Sequence, residues 1–359
     1  MRILVTGGAG FIGANFVRYL LDHYADDSVI VLDKLTYAGS LSNLADVLAH
    51  SRFEFVQRDV CDPAVADIVR GCDVVVHFAA ESHVDRSIED ASAFVDTNFR
   101  GTWRMLEAAR QARVARFVQI STDEVYGSVA HNEQSLEYSP LAPGNPYAAS
   151  KAAADLLVRS YVRSYGLAAI ITRCSNNYGP YQFPEKFIPL MVAQALADEP
   201  LPVYGDGHHI RDWIHVWDHC RAINLILRSG LDGEIYNIGG GCALRNLEVV
   251  HRILSLLGQP RSLVRFVADR PGHDRRYSLN CDKLKNSLGW KPEWDFSQGL
   301  AQTIQWYRQN RPWLEEIRSG EYRDYFARHY VNRDALLAEV ESVPRGRSFG
   351  PNTPHLFNN

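Results

Sequence analysis

The chain has 359 residues, 46% hydrophobic and 22% charged, an ordinary balance for a globular protein long enough to bury a large core. Its net charge of −4 offers no bulk attraction for nucleic acid or a membrane surface, and no apolar run approaches the roughly 18 residues that cross a bilayer. The cysteines at 61, 72, 174, 220, 242 and 281 include no Cys-x-x-Cys pair, and Met1-Arg2 runs into an apolar stretch too short for a secretory signal, so a reducing, cytoplasmic setting is expected.

The first half alternates strands and helices. Apolar spacing predicts strands at 2–6, 29–32, 53–56, 73–78, 116–120 and 168–172. Between them it predicts helices at 15–24, 91–112 and 147–165. Continuous apolar strands separated by helices imply an α/β fold, a doubly wound, mostly parallel Rossmann-type sheet covered on both faces. After Arg173 the chain becomes rich in Pro, Gly, Tyr and Asn, with strand and helix returning at 234–238, 247–257 and 301–307. This divides the chain into a dinucleotide-binding unit over 1–173, to which 215–245 returns, and a smaller C-terminal lobe over 174–214 and 246–330. Residues 331–359, with three prolines and two glycines, are expected to be irregular.

Gly7-Gly8-Ala9-Gly10-Phe11-Ile12-Gly13 follows the first strand and opens the first helix. It reads either as Gly8-x-Gly10-x-x-Gly13 or as Gly7-x-x-Gly10-x-x-Gly13. Glycines there let backbone approach a pyrophosphate, and the helix N-terminus supplies donors. Asp33 ends the second strand about 20 residues beyond Gly13, where a carboxylate can hold both ribose hydroxyls and repel a 2′-phosphate. NAD is therefore expected over NADP, with Lys34 the one residue that could argue otherwise. Tyr147 and Lys151 stand at i and i+4 on one predicted helix face. A nearby ammonium favours a phenolate, so the pair is expected to bring this tyrosine toward working pH as a base.

Gly7–Gly13, Asp59-Val60, Ala79-Ala80, Ser121-Thr122 and the Tyr147/Lys151 pair resemble the extended short-chain dehydrogenase/reductase family, most of whose members act on nucleotide sugars. Four stretches, DKLTYAG from Asp33, AAESHVDRS from Ala79, STDEVYG from Ser121 and SNNYGPYQFP from Ser175, are similar to its dTDP-glucose 4,6-dehydratase branch. The resemblance runs from Met1 to about Tyr330. It implies that tightly bound NAD oxidises C4 of dTDP-glucose, that water leaves across C5–C6, and that hydride returns to C6. Thr122 would hydrogen-bond the sugar O4 beside Tyr147. Glu124 would take the C5 proton, and Asp123, protonated at rest, would give one to the departing O6. A capping-box spacing, Ser121-x-x-Glu124, is the structural alternative for this triplet, set aside because Val125-Tyr126-Gly127 starts no helical run.

The same resemblance implies cofactor contacts from Gly7, Gly10, Phe11, Ile12, Gly13, Asp33, Lys34, Thr36, Gly39, Asp59 and Val60. Further contacts are implied from Phe78, Ala79, Ala80, Ser82, Thr97, Tyr147, Lys151 and Asn177. Substrate contacts are implied from Ser82, Thr122, Asn176, Lys186, Phe187, Pro202, Tyr204, Arg211, Asn246, Arg270 and His273, the cations suiting two phosphates. A homodimer built on the helices 91–112 and 147–165 is implied as well. No metal is expected: His215 and His219, with Asp212 and Cys220 near, carry no zinc-ligand pattern. Trp217 and Asn280 stand where the pattern usually has acidic residues. Three other readings stay open. A 4,6-dehydratase of a UDP-sugar would use the same chemistry. A nucleotide-sugar 4-epimerase would share NAD, Tyr147 and Lys151 but needs no acid–base pair after Thr122. A non-catalytic NAD-binding scaffold would have no need for Tyr147, Lys151, Thr122, Asp123 and Glu124 together.

Overall fold

A computed structural model describes residues 1–318 and 326–331. Twelve strands follow in chain order. β1 is Arg2–Thr6, β2 Ser28–Asp33, β3 Phe53–Gln57, β4 Val74–His77, β5 Arg116–Thr122 and β6 Ala169–Cys174. β7 is Asn176–Tyr178, β8 Leu201–Tyr204, β9 Ile210–His215, β10 Ile235–Ile238, β11 Ala243–Arg245 and β12 Val264–Val267. Seven of them form one sheet in the order β10-β6-β5-β4-β1-β2-β3, every pair parallel.

Strand alternation sorts the core to two faces. Ile3, Val5, Val29, Val31, Val76 and Val118 pack under the helices Phe11–His23 and Val216–Ser229. Leu4, Ile30, Leu32, Val75, Phe117 and Ile171 pack under the helices Val65–Arg70, Thr102–Ala112 and Pro146–Tyr165. Each fully buried side chain of this kind contributes about 1.5–3 kcal/mol, so neither helical layer can be shed. The expected doubly wound sheet is present.

The chain leaves β1 toward β2 and β3, then returns to β4 on the other side. A crevice therefore opens beyond the C-terminal ends of β1 and β4, the place where open parallel sheets take ligands.

In the second half, the helix Val216–Ser229 and β10 do return to the large unit, β10 pairing with β6. β11 does not: it pairs antiparallel with β9, which also pairs with β7, in a small sheet of three strands. A separate core gathers Tyr178, Met191, Val203, Trp213, Ile253 and Leu300. The helix expected at 91–112 is not uniform. Ser92–Phe94 and Thr102–Ala112 are α-helical, and Val95–Gly101 between them is a π turn. Of the tail expected to be irregular, residues 332–359 lie outside the described residues.

Candidate active site

The glycine turn resolves in favour of Gly7-x-x-Gly10-x-x-Gly13. Gly7 has φ 69°, and a Cβ there would lie 2.6 Å from the Ala79 amide nitrogen; a Cβ on Gly13 would lie 2.3 Å from the Gly7 carbonyl oxygen. Gly8 instead packs on Val31. Gly7, Gly10, Phe11, Ile12 and Gly13 thus form the floor of a cleft of about 1540 Å³ including its mouth.

Asp33, buried at the end of β2, accepts hydrogen bonds from the Ala9 and Leu35 amides at 2.9 and 2.8 Å, and burial raises its pKa. Lys34, its side chain more than half exposed, pairs with Asp59 at 2.7 Å, so the lysine that could have gripped a 2′-phosphate already has a carboxylate partner. Both line the cleft, with Thr36, Gly39, Val60, Phe78, Ala79, Ala80, Ser82 and Thr97. The π turn is what brings Thr97 there. In it Asn98 accepts from the Glu81 amide and donates to the Glu81 carbonyl and to Ser150 Oγ, tying the loop after β4 to the helix Pro146–Tyr165. This cradle fits a dinucleotide: backbone faces the space that side chains at Gly7 and Gly13 would fill, and a carboxylate ends β2.

Helix Pro146–Tyr165 begins with Asn145 accepting from the Ala148 amide and with proline at its first position. That start sets Tyr147 in the first turn and Lys151 one turn on, both buried. One expectation is overturned. Lys151 Nζ donates to the Ile120 carbonyl at 2.7 Å, so its charge turns to the end of β5. Burial and then the Glu124 charge push the Tyr147 phenol well above its usual value rather than down, while burial lowers Lys151.

At the C-terminal end of β5, Thr122 caps a tight 3-10 turn over Asp123–Tyr126, its hydroxyl accepting from the Glu124 amide at 3.3 Å. The cap is Thr122, not Ser121, and the turn is too short for the helix that a capping box would open. Asp123 is buried; Oδ1 accepts from Thr122 at 3.3 Å and Oδ2 has no partner. Burial first, then Glu124, raises Asp123 well above the carboxylate range, as a resting proton donor requires. The turn is anchored from below: the Tyr126 hydroxyl donates to Asn237 and accepts from Arg173, which is paired with fully buried Asp155 at 2.8 Å.

The second unit supplies cations around Glu124. Lys186 lines the cleft and donates to the Ser82 carbonyl, with burial lowering its pKa. Arg211 donates to the Ile210 and Asp274 carbonyls and lies over the Tyr277 ring at 4.4 Å. Arg270 stands 3.6 Å from Asp85, and Tyr204 donates to that carboxylate at 3.0 Å. Asn176 lines the cleft; its Oδ1, like Oδ1 of Asn246, is buried with no partner. Asn177, also in the lining, accepts from His219 Nδ1 through a 2.9 Å contact. Phe187 stacks on Trp213 at 6.0 Å, and Pro202 lies inside β8; neither lines the cleft.

His273 is tied to Asp269 at 2.6 Å, and His209 reaches the same carboxylate at 3.2 Å. Among the described residues only these three bring metal-ligating atoms together. The two rings stack at 3.7 Å and 13°. His215 and His219 separate: the first caps helix Val216–Ser229, the second turns to Asn177. Trp217 packs against the sheet core, and Asn280 caps the turn into Asp282.

Two site residues escaped the sequence reading. Tyr277 donates to Asp274 at 2.7 Å with its hydroxyl 3.4 Å from Glu124 Oε2. Glu185, 1% exposed, lines the cleft beside Lys186. Both sit in stretches singled out for other residues; for Glu185 the available signal was an acid directly before a lysine.

The family model described as GDP-mannose 4,6 dehydratase matches residues 4–303. A dTDP-glucose 4,6-dehydratase of Streptomyces niveus is 53% identical over 326 residues, 89% of this chain and 97% of that protein. The crystal structure of DesIV, a dTDP-glucose 4,6-dehydratase of Streptomyces venezuelae with NAD and dTDP bound, is 55% identical with a TM-score of 0.86, covering 88% of this chain and all of that one. A Thermus thermophilus UDP-glucose 4-epimerase with NAD also superimposes, at 34% identity, a TM-score of 0.80, and 86% and 100% coverage.

Proposed function

The chain belongs to the GDP-mannose 4,6 dehydratase family, and on that premise we propose that it is a dTDP-glucose 4,6-dehydratase that works with bound NAD. The observation that carries this reading is the carboxyl pair after β5. An epimerase shares the fold and binds NAD, as the Thermus neighbour illustrates, but it has no use for a buried neutral acid beside a second carboxylate.

NAD, when bound, accepts a hydride from the substrate and later returns it. Tyr147 takes the proton of the sugar O4, which Thr122 orients. The 4-keto group so formed acidifies the C5 proton. Glu124 removes that proton while Asp123 protonates the C6 hydroxyl, which leaves as water. C6 then takes the hydride back while Glu124 returns its proton to C5, and the O4 proton held by Tyr147 makes good the one Asp123 gave to the departing water, so the residues are restored and the product is a nucleotide 4-keto-6-deoxy sugar with no net redox. Lys186, Arg211 and Arg270 are the cations for the diphosphate. Tyr204, beside Asp85, is placed for the nucleoside.

The cytoplasm suits this reading: the six thiols are all free, and no described helix is long and apolar enough to cross a membrane. We also assign a homodimer. Val95, Phe99 and Trp103 are 54%, 39% and 37% exposed along one helical line, with Leu156 at 53% on the neighbouring helix.

The test is incubation of purified protein with dTDP-glucose and no added cofactor, followed by mass spectrometry. Loss of one water supports the reading. An isobaric epimer, or inertness with added NAD, refutes it.

A further inference from the structure

Beyond the residues assigned to chemistry, three loops are tied together along the edge of the cleft. Tyr37 stands in the loop after β2, between Thr36 and Ala38, which both line the cleft. Arg86 lies in the short helix Val84–Glu89 after β4. Phe183 and Glu185 follow β7 and line the cleft from the other side. The Arg86 guanidinium lies over the Tyr37 ring at 3.8 Å, and its Nε donates to Glu185 Oε2 at 3.1 Å. Phe183 meets Tyr37 edge-on at 5.6 Å. Glu185 is 1% exposed and Arg86 26%, so the contacts are largely out of water, where a cation over a ring is strongest.

The loop carrying Tyr37 is held in a demanding shape. Leu35 has φ 59°, a left-handed conformation rare for leucine, and its amide donates to Asp33. The Asp33 carboxylate and the Tyr37 contacts therefore hold one loop from its two ends.

Arg86 stays charged, and burial first, then Glu185, pushes the Tyr37 phenol well above its usual value. What the cluster does is join the wall at the cofactor end of the cleft to the wall at the substrate end. A reaction without net redox has no need to exchange its cofactor between turnovers. We infer that Tyr37, Arg86 and Glu185, with Phe183 against them, form a clasp that retains NAD by holding the cleft closed along this edge. The inference rests on the recycling cofactor of the proposed reaction.

The test is the rate at which purified holoenzyme exchanges bound NAD for labelled NAD. Tyr37→Ala and Arg86→Ala are expected to release NAD at least about tenfold faster, the order a desolvated cation–ring contact commands. Tyr37→Phe, which keeps the ring, should exchange as slowly as the parent. Where an alanine variant fails to fold, Arg86→Lys serves: it keeps the charge but loses the planar stack and the Nε donor, and should also release faster. Parent-like exchange in a folded Tyr37→Ala or Arg86→Lys overturns the clasp, as does fast exchange in Tyr37→Phe. Fast exchange in the alanine variants of a protein that fails to dehydrate dTDP-glucose supports the clasp and sinks only the assigned reaction. A parent that binds no NAD overturns both.

Discussion

Asp123→Asn separates chemistry from fold more sharply than any other change in the site. The amide matches the carboxyl in shape and can still accept from Thr122, but it has no proton to give to a leaving hydroxyl. Losing a general acid typically costs about 10²–10⁴ in rate, or about 2.7–5.4 kcal/mol of barrier. Stability should move the other way. The folded-state pKa of Asp123 is raised by burial and by Glu124, so the native state holds the proton more tightly than the unfolded chain. Above the unfolded carboxylate value, near 4, the native state therefore loses stability as pH rises toward the raised value, and asparagine is spared that loss. The variant should thus melt no lower than the parent at neutral pH, and higher if Asp123 costs the parent what its burial implies. Oxidation at C4, which uses Tyr147 and Thr122, survives, so reduced cofactor should accumulate on the enzyme as absorbance at its characteristic near-ultraviolet band. The assays are turnover by mass spectrometry, single-turnover absorbance and a thermal melt. Turnover within about fivefold of the parent in a folded variant, against the loss expected of a general acid, would refute the acid assignment. A lowered melting temperature at neutral pH would refute the protonation argument.

Gly13→Ala should abolish cofactor retention, because its methyl would lie 2.3 Å from the Gly7 carbonyl; gel filtration followed by nucleotide analysis reads the loss. Asp155→Asn leaves Arg173 charged and buried, a change of about 3–5 kcal/mol, so the melting temperature should fall by several degrees and activity with it, since Arg173 also holds Tyr126 under the Asp123 turn. In cofactor-free protein, ultraviolet titration should show no phenolate from Tyr147 at its ordinary value near 10, identified by difference from Tyr147→Phe. Trp103→Glu places a charge in the exposed apolar line and should give a monomer mass in light scattering, where the parent gives a dimer.

The sheet was legible because its signals are local. A short run of β-branched residues such as the three valines of Val74–His77 suits a strand covered on both faces, and the glycine spacing with Asp33 marks one kind of turn. The pair Asp123-Glu124 was legible because two adjacent acids after an apolar strand have few structural uses. What the sequence did not disclose depends on distance between chain segments. Lys151 and Tyr147 share a helix face in sequence, yet the lysine is drawn away by the Ile120 carbonyl, a partner 31 residues back, and the sign of the tyrosine shift changes with it. The π turn over Val95–Gly101 has no compositional mark; Asn98 makes it by reaching Glu81 and Ser150 at once. Gly8 looked interchangeable with Gly7 until the loop after β4 came to rest against Gly7. The phenol shift has a mechanistic consequence. Lys151 faces Ile120, burial and Glu124 raise the phenol, and among the leading influences on it the Thr122 hydroxyl is the one that lowers it. The base step therefore belongs to the assembled site and not to the apoprotein, which is why the titration in cofactor-free protein and the turnover of the holoenzyme must give different answers for the same residue.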